Sequence, residues 1–186
     1  MHPLFRLAHG IDRLNARVGR ATGWLVLVMV LVAALGAVLR YVGRPLGLSL
    51  ALNAFGEAQW YLFSAVFLLG AAWALAEDAH VRVDVLYGRL APRRRAAIDL
   101  AGTVLFLLPF CALMLWATWP AVAASWAVRE VSPDPGGLPR WPVKALVPAA
   151  FVLLFVQGVS QAIKAAATLR GVEPEPGRGP HHGEGV

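Results

Sequence analysis

Four long runs of uncharged, mostly apolar residues dominate this chain of 186 residues. They cover residues 21–39, 58–76, 100–128 and 145–163, and a charged residue directly bounds each run on both sides. Three runs are nineteen residues long, which at a helical rise of about 1.5 Å gives about 28 Å, close to the roughly 30 Å hydrocarbon core of a bilayer. Because backbone groups in lipid need partners within their own segment, each run predicts one transmembrane helix.

The predicted fold class is therefore all-α, a polytopic membrane protein with four transmembrane helices. The membrane domain is expected to cover residues 21–170, with spans at about 21–41, 57–77, 97–120 and 143–165. Hydrophobic residues make up 58% of the chain and charged residues 15%, which is unusual for a water-soluble domain of this size. The stretches between the runs are too short to bury a core of their own, which excludes a separate soluble domain.

Residues 1–20 are predicted to form a helix that lies on the cytoplasmic membrane surface before the first span. Apolar residues recur there at helical spacing beside arginines, namely Leu4, Leu7, Ile11, Leu14 and Val18. A cleaved signal peptide is the rival interpretation. It fits less well, because both the basic region and the apolar run exceed the length of a typical signal.

A short amphipathic cytoplasmic helix is predicted between the second and third spans. Its apolar stripe consists of Val83, Leu86, Tyr87 and Leu90. A strand-like alternation at residues 81–85 competes with it, but a lone strand in a short loop has no partner for its edge. The Gly- and Pro-rich tail, residues 171–186, is predicted to be disordered.

The third run is twenty-nine residues long, or about 43 Å as a helix, which exceeds the bilayer core. It must tilt steeply, bend at Pro109 or Pro120, or leave the membrane early. We favour an exit near Pro120, with residues 121–128 at the outer surface.

The basic residues indicate topology. Twelve of the 17 Lys and Arg residues lie in the N-terminal segment, the loop after the second run, or the tail, whereas five lie in the alternate segments. The positive-inside rule then places both termini in the cytoplasm. This placement accounts for the high pI of about 10.4 without nucleic acid as a partner.

The spans offer little chemistry. All five histidines lie outside the four runs, so axial haem ligands are missing, and no catalytic triad, metal-spaced cluster or phosphate-binding loop is present. The chain is therefore predicted to be neither an enzyme nor a cofactor protein. In the fourth span, Gln157, Ser160 and Gln161 form one polar face that could bond to a helix of this chain or of another subunit.

Several short motifs occur in an order that resembles the small permease (DctQ-like) subunit of tripartite ATP-independent periplasmic (TRAP) transporters. The motifs are residues 56–63, 67–73, 80–84, 102–110, 125–126, Glu130, 132–139, Lys144 and 157–158. The resemblance extends from about residue 20 to 170. It implies a bacterial inner-membrane protein that acts as a scaffold for a large permease subunit. That subunit would take up an organic anion, with a carboxylate expected, together with sodium, after delivery by a periplasmic solute-binding protein.

The resemblance also implies structural or partner-interface residues. Glu57, Gln59 and Trp60 would hold the outer end of the second span, His80, Arg82 and Asp84 would brace the cytoplasmic helix, and the outer loop would face a partner. The full set is Glu57, Gln59, Trp60, His80, Arg82, Asp84, Glu130, Ser132, Asp134, Gly137, Pro139, Lys144 and Gln157. For each group a purely internal role is the alternative: a membrane-end anchor, a loop tie or a turn.

Sodium coupling is expected in the large subunit, and this chain is expected to contact that subunit, the binding protein and the lipid bilayer. Two other hypotheses stay open. One is a self-sufficient small carrier or channel that uses Glu57 as its coupling carboxylate, and the other is a non-catalytic anchor subunit of another membrane complex.

Overall fold

The computed structural model describes residues 3–43, 52–79 and 90–172. Within these ranges the chain is helical apart from the turns and the loop at residues 128–140. The helices are α1 (Pro3–Gly43), α2 (Leu52–Ala76), α3 (Pro92–Gly102), α4 (Leu108–Ala127), α5 (Trp141–Lys144) and α6 (Leu146–Leu169), with a π-helical turn at Thr103–Leu107 between α3 and α4. We call α3, the π turn and α4 together the third helix.

The prediction of an all-α membrane protein is confirmed. In the described part of the chain, four helices are long and apolar enough to cross a membrane. They are α1, α2, the third helix and the α5–α6 segment. We call the end of the molecule that carries residues 128–140 the loop end, and the opposite end, where α1 begins and α6 ends, the terminal end.

The division predicted at residue 20 is not marked by a break in the helix, and it stays a prediction. Residues 3–43 form one continuous helix of 41 residues, about 60 Å long at the usual rise. No proline interrupts it, and its buried stripe runs across the predicted boundary through Asn15, Gly19 and Thr22. Packing therefore favours a single helix over a bend between a surface segment and a span. The position of the bilayer surface along α1 stays a prediction.

The third helix continues through Pro120 to Ala127, so the chain does not leave the helix where we expected the membrane exit. Its irregular part lies earlier, at the π turn before Pro109, where Leu108 N–H bonds to the carbonyl of Thr103. A proline lacks the N–H of a regular helix and its ring crowds the preceding turn. A π turn next to Pro109 accommodates both effects within a continuous helix.

The helix α6 lies at the centre of the molecule. It packs against α1, α2 and the third helix, and α1 and α2 pack extensively along each other. Within the described ranges the third helix has no comparable contact with α1 or α2. The α1–α2 pair and the third helix therefore lie on different sides of α6, and the four helices do not surround a common interior.

The helices α1 and α2 pack tightly at Gly19. A Cβ atom at this position would lie 2.3 Å from the side chain of Trp73. The Trp73 indole occupies this space and donates its Nε1–H to Glu77 at 3.3 Å. Small residues at helix contacts let backbones approach closely in membranes, and here Gly19 lets α1 approach the largest side chain of α2.

Two predicted elements lie outside the described residues. The short amphipathic helix falls mainly on residues 80–89, and all but two residues of the predicted disordered tail lie at 173–186. Both stay predictions.

We expect Gly19→Ala to destabilise the protein by roughly 1–3 kcal/mol, because the added methyl group must displace the Trp73 ring from a packed site. Gly23→Ala is the matched control on the same helix, since a Cβ there meets nothing within 4 Å. The measurement is the thermal unfolding midpoint of the purified protein in detergent. Equal midpoints for the two variants would contradict the close contact at Gly19.

Candidate functional site

The carboxylate of Glu57 closes the loop at residues 128–140 onto the second helix. One oxygen accepts a hydrogen bond from the Ser132 hydroxyl, and the other accepts the Leu138 backbone N–H at 2.5 Å. The Glu57 residue is 5% exposed. We call Glu57, Ser132 and Leu138 the Glu57 clamp. Both carboxylate oxygens are thus occupied within the chain.

The loop has the geometry of a tight hairpin between its two clamped residues. Ser132 N–H bonds to Leu138 O at 3.1 Å, and Val131 and Pro139 form an antiparallel bridge. The turn between them requires glycine, because a Cβ at Gly137 would lie 2.5 Å from Ser132 Cβ and Gly136 has a φ of 71°. The hairpin presents Ser132 and Leu138 side by side to the one carboxylate.

Two more residues of α2 reach the same loop. Tyr61 donates its hydroxyl to Leu138 O at 3.4 Å, and Asn53 donates its amide to Pro135 O at 3.2 Å. We did not predict either residue. The sequence did contain a pattern that points to them. Asn53, Glu57 and Tyr61 follow one another at four-residue spacing and so share one helix face.

A second tie joins the loop to the start of the fourth span. Lys144 forms an ion pair with Glu130, and Arg140 N–H bonds to Glu130 O at 2.8 Å. The Lys144 ammonium lowers the pKa of the Glu130 carboxyl from its ordinary value, because its hydrogen bond favours the ionised form. Glu130 and Lys144, both predicted as site residues, are therefore partners of each other.

Aromatic packing supports this second tie. The rings of Trp126 and Trp141 meet edge to face with centroids 4.4 Å apart, and the Arg129 guanidinium lies 5.1 Å from the Trp141 ring centroid. Such aromatic and cation–π contacts are typical of residues at a membrane boundary. They join the end of α4 to the start of α5 at the loop end.

A polar cluster at the terminal end joins α1 to α6. Asn15 donates to Gln157 at 2.7 Å, and Gln157 donates to Asp12 at 3.0 Å. Ser160 donates to the same Asp12 oxygen at 2.8 Å, and Lys164 bonds to the other at 2.5 Å. We call these five residues the Gln157 cluster. Gln157 and Ser160 are fully buried.

This cluster decides the question that the polar face of the fourth span left open. Gln157 and Ser160 bond to α1, and Gln161 donates to the Leu75 carbonyl of α2 at 3.0 Å. The polar face therefore binds helices of this chain. We did not predict Asp12 and Asn15 as its partners, since hydrogen-bond partners 142 residues apart leave no local pattern in the sequence.

The other predicted residues do not join either group. Gln59 and Trp60 are exposed on α2, where Trp60 packs edge to face on Tyr61 at 4.3 Å. Asp134 is exposed, and its carbonyl accepts the Gly137 N–H at 2.9 Å inside the loop. Pro139 takes part in the loop bridge. His80, Arg82 and Asp84 lie outside the described residues.

Both groups hold parts of the chain together. In the described ranges no group of three or more His, Cys, Asp or Glu could hold a metal ion. The arrangement can fix helices and a loop in a single geometry.

Comparison with protein families gives one match. The family model described as "Tripartite ATP-independent periplasmic transporters, DctQ component" matches residues 29–168, more than half of the chain. The match contains the Glu57 clamp and most of α6, and it begins after the N-terminal half of α1. Comparisons with curated proteins and with solved structures return no match.

We expect Glu57→Gln to loosen the loop, because the amide nitrogen of glutamine would face a donor where the carboxylate accepts. Tryptic cleavage after Arg129 or Arg140 should become several-fold faster in the purified protein. Gln59→Ala, an exposed position two residues away, should leave the cleavage rate unchanged. Identical rates for wild type and Glu57→Gln would show that the clamp does not hold the loop.

A second expectation concerns pH. The lowered pKa of Glu130 means that the ionised carboxyl stabilises the fold above its ordinary pKa, and that this contribution is lost as the pH falls through the lowered value. Lys144→Gln removes the largest cause of the lowered pKa. The thermal midpoint should therefore fall less steeply with acidification in Lys144→Gln than in wild type, and parallel profiles would contradict the assignment.

Proposed function

We propose, from the premise that this chain belongs to the DctQ family and is the small membrane subunit of a TRAP transporter, that it acts as a rigid scaffold for the large permease subunit. The family is described as a component of these transporters. In this proposal the large subunit moves the substrate, and this chain enlarges the fixed part against which the moving part works.

The central position of α6 is the observation that carries the proposal. A self-sufficient carrier or channel needs an interior pathway, whereas α6 separates the α1–α2 pair from the third helix. The described helices therefore leave no shared interior for a solute. A protein of this shape has long outer faces that can pack against another membrane protein.

The occupied polar groups support the same conclusion. A coupling carboxylate must be free to exchange a cation, but Glu57 bonds to Ser132 and Leu138 through its two oxygens. Gln157 and Ser160 are fully buried and bond to α1. These contacts weigh against Glu57 as the coupling residue of a small carrier.

The third helix provides a large apolar surface for a partner. It packs on one side against α6, while large side chains on its other sides are exposed, including Phe106 at 74% and Trp116 at 77%. In a membrane, lipid or another protein covers such a surface. We propose that the large permease subunit covers part of it.

The remaining parts of the proposal follow the family and the distribution of charge. The transporter takes up an organic anion of the carboxylate class, which a periplasmic binding protein delivers, and sodium coupling resides in the large subunit. The chain lies in the bacterial inner membrane with both termini in the cytoplasm, because the cation-rich segments lie at the terminal end. The loop at residues 128–140 then faces the periplasm.

The test is co-expression of the tagged chain with its large permease and its binding protein. We expect the tagged chain to retain the permease in mild detergent, and uptake in proteoliposomes to require both. Glu57→Gln should lower the amount of complex and the uptake in parallel while substrate preference stays unchanged. The control is Gly23→Ala, which lies outside the predicted set and where an added Cβ meets nothing within 4 Å.

Two outcomes would contradict the scaffold. Substrate or cation transport by the purified chain alone would support the small-carrier hypothesis. Retention of an unrelated enzyme complex in place of a permease would support the anchor hypothesis.

A further inference from the structure

Four arginines share one face of the first half of α1. At about 100° per residue, positions 6, 13, 17 and 20 fall within roughly 60° of each other around the helix, and all four side chains are exposed. The buried residues of this half, Ala8, Ile11, Asn15, Gly19 and Thr22, lie on the opposite face. The cations therefore point away from the packed helices.

These arginines have no acidic partner in the described part of the chain. Lys144 pairs with Glu130 and Lys164 pairs with Asp12, whereas Arg20 bonds to the Ala16 carbonyl of its own turn. Asp12, the acidic residue of α1, is engaged by α6 in the Gln157 cluster. The arginine face thus carries uncompensated positive charge.

If the first span begins at residue 21, as the sequence predicts, part of this face lies at the level of the lipid headgroups. Arg20 directly precedes the uncharged run that begins at residue 21, and Arg13 lies about 10 Å further along the axis. The headgroup layer is several ångströms thick, and a long arginine side chain extends toward it while its stem stays on apolar surface. Leu14, 48% exposed beside this face, offers such a surface.

We propose that Arg13, Arg17 and Arg20 form a binding site for the phosphate groups of anionic phospholipids at the terminal end. Guanidinium groups bind phosphate oxygens through paired, charge-assisted hydrogen bonds. Packing against α2 and α6 already holds this part of α1 in place. The three guanidinium groups therefore form a fixed row, and phosphate binding costs no backbone conformational entropy. The site does not depend on the proposed transporter role.

Charge complementarity and continuity with the span favour lipid as the occupant. The row adjoins the predicted start of the first span, where lipid would be in contact, and the exposed Leu14 lies beside it. An acidic segment of a protein partner is the competing occupant, and the experiment separates the two.

The test uses the full chain in mild detergent with an equimolar mixture of phosphatidylglycerol and phosphatidylcholine, and native mass spectrometry counts the retained lipids. We expect preferential retention of phosphatidylglycerol. Arg17→Gln and Arg20→Gln should each weaken it about fivefold, from the usual contribution of one cation near an anionic surface. Arg17→Lys should retain most of the preference, because it keeps the charge.

Arg6→Gln is the matched control, since it removes the same charge from the same face about 16 Å from Arg17 along the axis. It should leave retention close to wild type. The thiol of buried Cys111 verifies folding, because it reacts quickly in an unfolded variant and slowly in a folded one.

Three results would overturn the proposal. The first is equal retention of the two lipids, and the second is an effect of Arg6→Gln as large as that of Arg17→Gln, which would indicate general charge attraction. The third is unchanged lipid retention in folded Arg17→Gln and Arg20→Gln variants that no longer bind the permease, which would identify a protein partner.

Discussion

A bilayer contains no water to satisfy polar groups, and the remaining features of this structure depend on that constraint. Lipid tails are as apolar as leucine, so helices in a membrane associate through close packing and hydrogen bonds. The Gln157 cluster is the main example. The fully buried Gln157 and Ser160 bond to α1, and this contact fixes how the first helix crosses the fourth.

The cluster and the Glu57 clamp act at opposite ends of the molecule. At the terminal end, α6 is bonded to α1 and, through Gln161, to α2. At the loop end, α2 is bonded to the hairpin that leads into α5 and α6. The central helix is therefore held at both ends. A protein whose helices are fixed in this way suits a scaffold role, since it resists rearrangement while a partner moves beside it.

Much of the fold could be predicted from the sequence, because apolar length and charge placement are local properties. Part of the site could also have been predicted, because the four-residue spacing of Asn53, Glu57 and Tyr61 places them on one helix face. The continuous α1 was not predicted. Arg20 marks the predicted point where the surroundings of the helix change from water to lipid, and that change does not require the helix to end. The π turn before Pro109 was not predicted either, since proline allows a kink, a tilt or a π turn equally well.

The sequence by itself determined that the chain has four membrane-spanning helices, and its ordered motifs indicated the family. These are properties of short segments and of their order. The tertiary structure alone decided which polar groups pair, since it brings Asn15 to Gln157 and Glu57 to Ser132 and Leu138. The physical reason is that hydropathy depends on the local composition of a segment, whereas a hydrogen bond between distant residues depends on how whole helices pack.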